Sequence, residues 1–149
     1  MGITISTATP ADADVLARAL ERLVPQLSKS NPPPSQAEVR AMLEHEAVTQ
    51  FVATDDDGTI VGVSTLAVFP IPTGWRAWVE DVIVEQSVNG QGIGRRLTEA
   101  MLARAEELGC RTVDLTSRPS REAANALYRK VGFEARETNV YRYDLDGDR

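Results

Sequence analysis

VNGQGIGRR, residues 88–96, is the stretch on which the reading of this chain turns. Gly90, Gly92 and Gly94 alternate and run directly into Arg95 and Arg96. Apolar residues then recur at helical spacing: Ile93, Leu97, Ala100, Met101, Ala105 and Leu108, with Gly109 as the stop. The spacing predicts a helix over residues 92–108. Its first turn is basic and its last turn holds Glu106 and Glu107. Both ends oppose the helix dipole, at a cost of roughly 0.3–1 kcal/mol per exposed charge. An anion at the N-terminus would reverse that penalty, because free backbone N–H groups, the dipole and two guanidinium groups would converge on it. The alternative is a glycine-rich turn with two solvated arginines.

Working outward, the strand before this loop is WRAWVEDVIVE, residues 75–85. Upstream, TQFVATDDDGTIVGVSTLAVF predicts a hairpin that turns at Asp57-Gly58. A first strand is expected over residues 3–7, then a helix opened by Pro10 and Asp12. Three prolines, Pro32, Pro33 and Pro34, favour an extended loop. A second helix is expected over residues 35–46, with Ser35 as N-cap and Glu38 completing a capping box. Downstream, RTVDLTS reads as a strand and Ser120 as the cap of a helix that Gly132 ends. Phe133 sits where a Schellman motif places an apolar residue. ETNVYRYDL alternates as a last strand, with one further short strand around Glu134. The order predicts a single mixed α/β domain over residues 1–149.

Composition narrows the functions open to it. The chain has 149 residues, 42% hydrophobic and 26% charged. No apolar run approaches the ~20 residues that cross a bilayer, and the N-terminus does not read as a signal peptide. No membrane association is expected. Cys110 and His45 are the only residues of their kinds, which argues against a zinc site, and a single cysteine suits a reducing cytoplasm. The net charge of −6 disfavours nucleic acid and suits a cationic partner such as an amine. Among phosphate-binding loops, a P-loop needs a lysine that is absent here. A Rossmann fingerprint needs a third glycine where Arg95 or Leu97 stands. Asp114 lies near the spacing of a ribose-binding acid, which keeps a nucleotide-binding oxidoreductase as a rival.

At this point the sequence resembles the GNAT superfamily of acyl-CoA-dependent N-acyltransferases. The family motif, Arg/Gln-x-x-Gly-x-Gly/Ala, is matched by Asn89-Gly90-Gln91-Gly92-Ile93-Gly94, with Asn89 in the place of the usual Arg or Gln. NALYRKVGF, residues 125–133, is similar to the family's second motif. The resemblance covers roughly residues 75–143. It implies a GNAT fold: a mixed central sheet of six or seven strands with about four helices, splayed at the fourth strand. It implies acetyl-CoA as cofactor, held at its pyrophosphate by residues 89–96, with Arg95 or Arg96 compensating for Asn89. It also implies that backbone groups of Val82, Ile83 and Val84 grip the pantetheine arm and that Asn125 contacts it.

The resemblance further implies that Tyr128 approaches the cofactor sulfur as a general acid. The alternative is a core aromatic packed under Phe133. Glu80 and Asp81 are neighbouring carboxylates on a strand expected to be central, so they face opposite ways. Glu80 is the preferred base, with Asp81 or a water chain still open, and partial burial would suit it to that work. An ion pair of a carboxylate here with Arg76 or a helix residue is the competing account. The sequence as a whole is identified as an N-acetyltransferase that transfers an acetyl group directly to a primary amine of a small molecule or peptide in a ternary complex. The main rival is an acyl-CoA-binding module without turnover. The resemblance is compatible with a homodimer.

Overall fold

The computed structural model describes residues 2–146, which form two compact units divided between Thr116 and Ser117. The first unit contains, in chain order, β1 (Thr4–Thr7), α1 (Ala13–Leu27), α2 (Gln36–Glu44), β2 (Val48–Thr54), β3 (Ile60–Ile71), β4 (Gly74–Val84), α3 (Ile93–Glu107) and β5 (Thr112–Asp114). The second contains α4 (Glu122–Val131).

The sheet runs β1-β2-β3-β4-β5, antiparallel except for the parallel pair β4–β5. A parallel pair needs a crossover, and α3 supplies it. Asp55 shapes the β2–β3 turn by accepting from the Asp57 and Thr59 backbone N–H groups at 2.9 and 3.0 Å, with Gly58 at φ +79°. FPIPTGW, residues 69–75, forms the β3–β4 hairpin, in which Ile71 pairs with Gly74.

Local chemistry explains the helices. The Ser35 hydroxyl accepts from the Glu38 N–H at 3.1 Å while Glu38 accepts from the Ser35 N–H at 2.9 Å, which is the expected capping box. Ahead of α1, the Asp12 carboxylate accepts from the Thr9 N–H at 2.8 Å, and the Asp12 N–H donates to Thr9 O at 2.8 Å. Leu16, Leu20 and Leu23 bury one stripe of α1, each contributing roughly 1.5–3 kcal/mol of burial. The core lies on both faces of the sheet. One cluster joins α1 and α2 to Val52, Val63 and Ile83; the other joins α3 to Phe51, Leu66, Ala77 and Val79.

The described residues form five strands rather than six or seven. ETNVYRYDL and the segment around Glu134 carry no strand. Val140, Tyr141 and Leu145 are all strongly exposed, so neighbours in the alternation do not sort into a buried and a solvated face. Alternation specifies a face but not a partner, and a strand needs a partner to satisfy its backbone. β5 is likewise shorter than RTVDLTS, and the cap of α4 is Arg121, not Ser120.

Candidate functional site

The site begins with a fault in the sheet. β3 and β4 pair in register from Ile71–Gly74 to Thr65–Glu80, and then resume at Val63–Ile83. β4 therefore carries one extra residue, a bulge at Asp81–Val82 opposite Ser64. Asp81 has φ +46°, a left-handed conformation that aspartate tolerates better than most residues. On its other edge, β4 pairs with β5 only from Arg76 to Trp78. Residues 79–84, including Val82, Ile83 and Val84, thus run past the end of their β5 ladder.

β4 leads through a short 3₁₀ turn, Gln86–Val88, into the glycine loop. Gly90 and Gly92 lie at φ +86° and +76°, and a Cβ on either would meet nothing within 4 Å. Glycine is required here for backbone conformation, and open space lies over the loop. Gly92 caps α3, leaving the N–H groups of Ile93, Gly94 and Arg95 without intrahelical acceptors. Asn89 and Gln91 are exposed, and the Asn89 N–H donates to Gln86 O at 3.2 Å. The two arginines differ. Arg96 donates from Nη1 to Ile3 O at 2.7 Å, tying α3 to the chain just before β1. Arg95 makes only a half-exposed 3.4 Å ion pair with Glu99, so it is the guanidinium more easily redirected to an anion.

At its far end, α3 carries an Arg104–Glu107 ion pair, which softens the unfavourable charge there. The basic first turn holds no acidic residue, and only the exposed Arg95–Glu99 pair offsets its charge from one turn on. α4 is the internal contrast, with Glu122 in its first turn and Arg129 and Lys130 in its last, both of the favourable sign. The loop, the amides and the unpaired edge of β4 together fit an anionic group on an extended polar arm.

Glu80 and Asp81 are both exposed, so burial does not prepare either carboxylate. Glu80 pairs directly with Thr65 and shares its face of the sheet. Arg76 does not neutralise Glu80; it binds Asp114 at 2.7 Å, staking β4 to β5. That bond also occupies the acid weighed as a ribose ligand.

In the second unit, Tyr128 is 9% exposed, and its ring meets Phe133 edge-to-face at 5.8 Å. The Phe133 and Gly132 N–H groups both donate to Tyr128 O, closing the Schellman end of α4. Burial pushes the Tyr128 hydroxyl up, against a smaller opposing pull from Arg121. Tyr128 therefore keeps its proton at neutral pH. Asn125 uses its side-chain amide to donate to Arg118 O at 3.0 Å, closing the turn ahead of α4.

The sequence gives no warning of one group. Glu85, directly after β4, accepts from Arg22 Nε at 2.7 Å and from Gln26 Nε2. Arg22 also donates to Ile60 O, and the Gln86 N–H donates to Gln26 Oε1 at 3.1 Å. One turn of α1 thus clamps the entrance to the glycine loop. The i,i+4 spacing of Arg22 and Gln26 is visible in the sequence, but their partner lies about sixty residues away. Among the described residues, no cluster of three or more His, Cys, Asp or Glu side chains is placed to hold a metal ion, and no helix is long and apolar enough to cross a membrane.

Residues 16–133 match the Acetyltransferase (GNAT) family. The chain belongs to this family. It is 30% identical to an aminoglycoside N(6')-acetyltransferase type 1 of Stenotrophomonas maltophilia, over 93% of this chain and 90% of that protein. It is 32% identical to N-alpha-acetyltransferase 30 of Schizosaccharomyces pombe, over 65% of this chain and 64% of the relative. With a mycobacterial protein, ML0378 of Mycobacterium leprae, it shares 31% identity over 34% of that longer chain. The backbone superposes on an acetyltransferase structure from Trypanosoma brucei with a TM-score of 0.77 at 26% identity, covering 97% of this chain and 100% of that one. The GNAT family generally uses acetyl-CoA, and the stretch of β4 beyond its β5 ladder and the glycine loop are the features that fit such a group here.

Proposed function

We propose that this GNAT chain acetylates a primary amine, using acetyl-CoA, by direct transfer in a ternary complex. The observation that carries the reading is the bulged β4, freed from β5 beyond Trp78 and leading straight into a left-handed glycine loop. Backbone groups of Val82, Ile83 and Val84 would hold the arm of the cofactor. Residues 89–96 would hold its pyrophosphate, with Arg95 rather than Arg96 as the added charge. Asn125 is the further cofactor contact in this reading. When bound, acetyl-CoA supplies an acyl group already activated as a thioester.

The chain's own residues have modest tasks. Glu80 takes a proton from the acceptor ammonium, directly or through water, so that the nitrogen lone pair is free. Tyr128, kept protonated by burial, donates a proton to the leaving sulfur. Relatives named for aminoglycosides, glucosamine 6-phosphate and L-2,4-diaminobutyric acid support a small-molecule amine. The net charge of −6 suits a cationic acceptor.

Calorimetric titration with acetyl-CoA, CoA and NAD, followed by a thiol-release assay over an amine panel, tests the reading. Acetyl-CoA binds, NAD does not, and at least one amine releases thiol. Glu80→Gln and Tyr128→Phe each lower kcat by about 10²–10⁴-fold and leave CoA affinity unchanged. Binding of NAD in place of CoA overturns the family-based chemistry. CoA binding with no amine turned over leaves a binding module.

A further inference from the structure

On the sheet face under α1 and α2, cross-strand partners line up as rungs. Val52–Val63–Ile83 is an apolar rung within the core, and Val48–Ala67–Trp78 lies four residues further along β2 and β3. Between them runs a polar rung, Gln50–Thr65–Glu80. Its burial is graded: Gln50 is 4% exposed, Thr65 is half-buried and Glu80 is exposed.

A buried amide must find partners for both ends. Gln50 Nε2 donates to Ser64 O at 2.9 Å and to Phe51 O at 3.3 Å. Those two carbonyls fix the orientation of the amide, because the flipped form would set oxygen against oxygen. Gln50 Oε1 consequently faces Thr65, whose hydroxyl donates to it at 2.8 Å. That bond uses the only proton Thr65 has, so Thr65 Oγ1 presents lone pairs alone. The Glu80 carboxylate directly across also only accepts. Cross-strand Cβ atoms lie about 4.5–5.5 Å apart, close enough for one nitrogen to reach both side chains.

Two adjacent acceptors with no donor suit a group with several N–H protons. An ammonium can serve both. An alcohol has one proton and would turn a lone pair towards the second acceptor. We propose that Thr65, polarised and held by Gln50, is the second arm of the acceptor-amine subsite and selects primary amines over alcohols. Thr65 contacts the acceptor; Gln50 is a positioning residue behind it. The proposal rests on the reading of Glu80 as the group that faces the acceptor. The apolar rung containing Trp78 would receive the carbon skeleton next to the amine.

The test uses the full chain with acetyl-CoA and three probe amines: sisomicin, glucosamine 6-phosphate and L-2,4-diaminobutyric acid. Thiol release gives kcat and KM, and calorimetry in the presence of CoA gives amine affinity. Thr65→Val is isosteric but lacks lone pairs, and should raise amine KM about 10–100-fold, the usual range for a hydrogen bond to a charged group. The KM for acetyl-CoA stays unchanged, and Thr65→Ser recovers amine KM to within a few-fold. Gln50→Leu shifts amine KM in the same direction by a smaller factor. Should Thr65→Val fail to fold, Thr65→Ala with the same readouts decides. Wild-type amine KM in Thr65→Val overturns the proposal, while Glu80→Gln still reports separately on the base. A raised KM in Thr65→Val with full activity in Glu80→Gln removes Glu80 as base and leaves Thr65 as an amine contact. No binding or acetylation of any probe by the wild-type chain overturns both.

Discussion

The Glu85 clamp gives the sharpest quantitative expectation. Gln26 and then Arg22 hold the Glu85 carboxyl below its ordinary value of 4.5 by hydrogen bonding to its charged form. The Glu85 side chain is 17% exposed and that of Arg22 is 42% exposed. A hydrogen bond to a charged group contributes about 1.5–3 kcal/mol when shielded, and an exposed ion pair well under 1. Partial exposure of Arg22 places the loss in Glu85→Gln at about 1–2 kcal/mol, between those limits. For a chain of this size that corresponds to a fall of roughly 2–8 °C in Tm. The sign with pH follows from the depressed pKa. The contribution is fully present above 4.5 and fades as pH falls through the lower folded value. Urea melts of wild type and Glu85→Gln between pH 7 and pH 3 should show a constant gap down to about 4.5 that then closes. A gap independent of pH, or no gap at neutral pH, would refute the argument. Weaker CoA binding should accompany the loss, because Glu85 anchors the start of the glycine loop.

Two glycines separate backbone strain from packing. Gly92→Ala should cost about 1–2 kcal/mol through its left-handed φ alone, since its Cβ meets nothing, while Gly92→Asn costs less; equal losses in urea melts would contradict this. Gly62 lies flat against α3, where a Cβ would stand 3.1 Å from Ile93 Cγ2 and 3.3 Å from Leu97 Cδ1. Gly62→Ala should therefore destabilise by about 1–3 kcal/mol and weaken CoA binding by moving the start of α3. A variant as stable as wild type with unchanged calorimetry would refute that coupling.

What was legible in the sequence was mostly local. Ser35 with Glu38, Asp57-Gly58 and Gly132-Phe133 are signals whose partners lie within a few residues, and each forms as expected. The glycine loop and the inward stripe of Ile93, Leu97, Met101 and Ala105 were equally readable, because helical periodicity encodes its own geometry. The hidden features depend on registration between distant segments. Gln50 looks like an interruption in VTQFVAT until β3 brings Thr65 beside it. Glu85 looks like a strand end until α1 arrives. ETNVYRYDL shows the converse, a persuasive alternation with no strand.

The bulge at Asp81–Val82 acts as a phase change along β4. In a regular strand Val79, Asp81 and Ile83 would share one side, and Glu80 would share the other with Val82 and Val84. The extra residue puts Glu80 and Ile83 on one side and Val79 and Val84 on the other. Both cores thus receive an apolar residue beyond the fault, while a carboxylate stands at the sheet surface just before it. Deleting Asp81 would remove the bulge and leave Ile83 and Val84 on the sides they hold now, whereas closing the fault with all residues kept would exchange them. The acidic pair in VEDVIV is therefore also punctuation, telling the strand where its parity reverses.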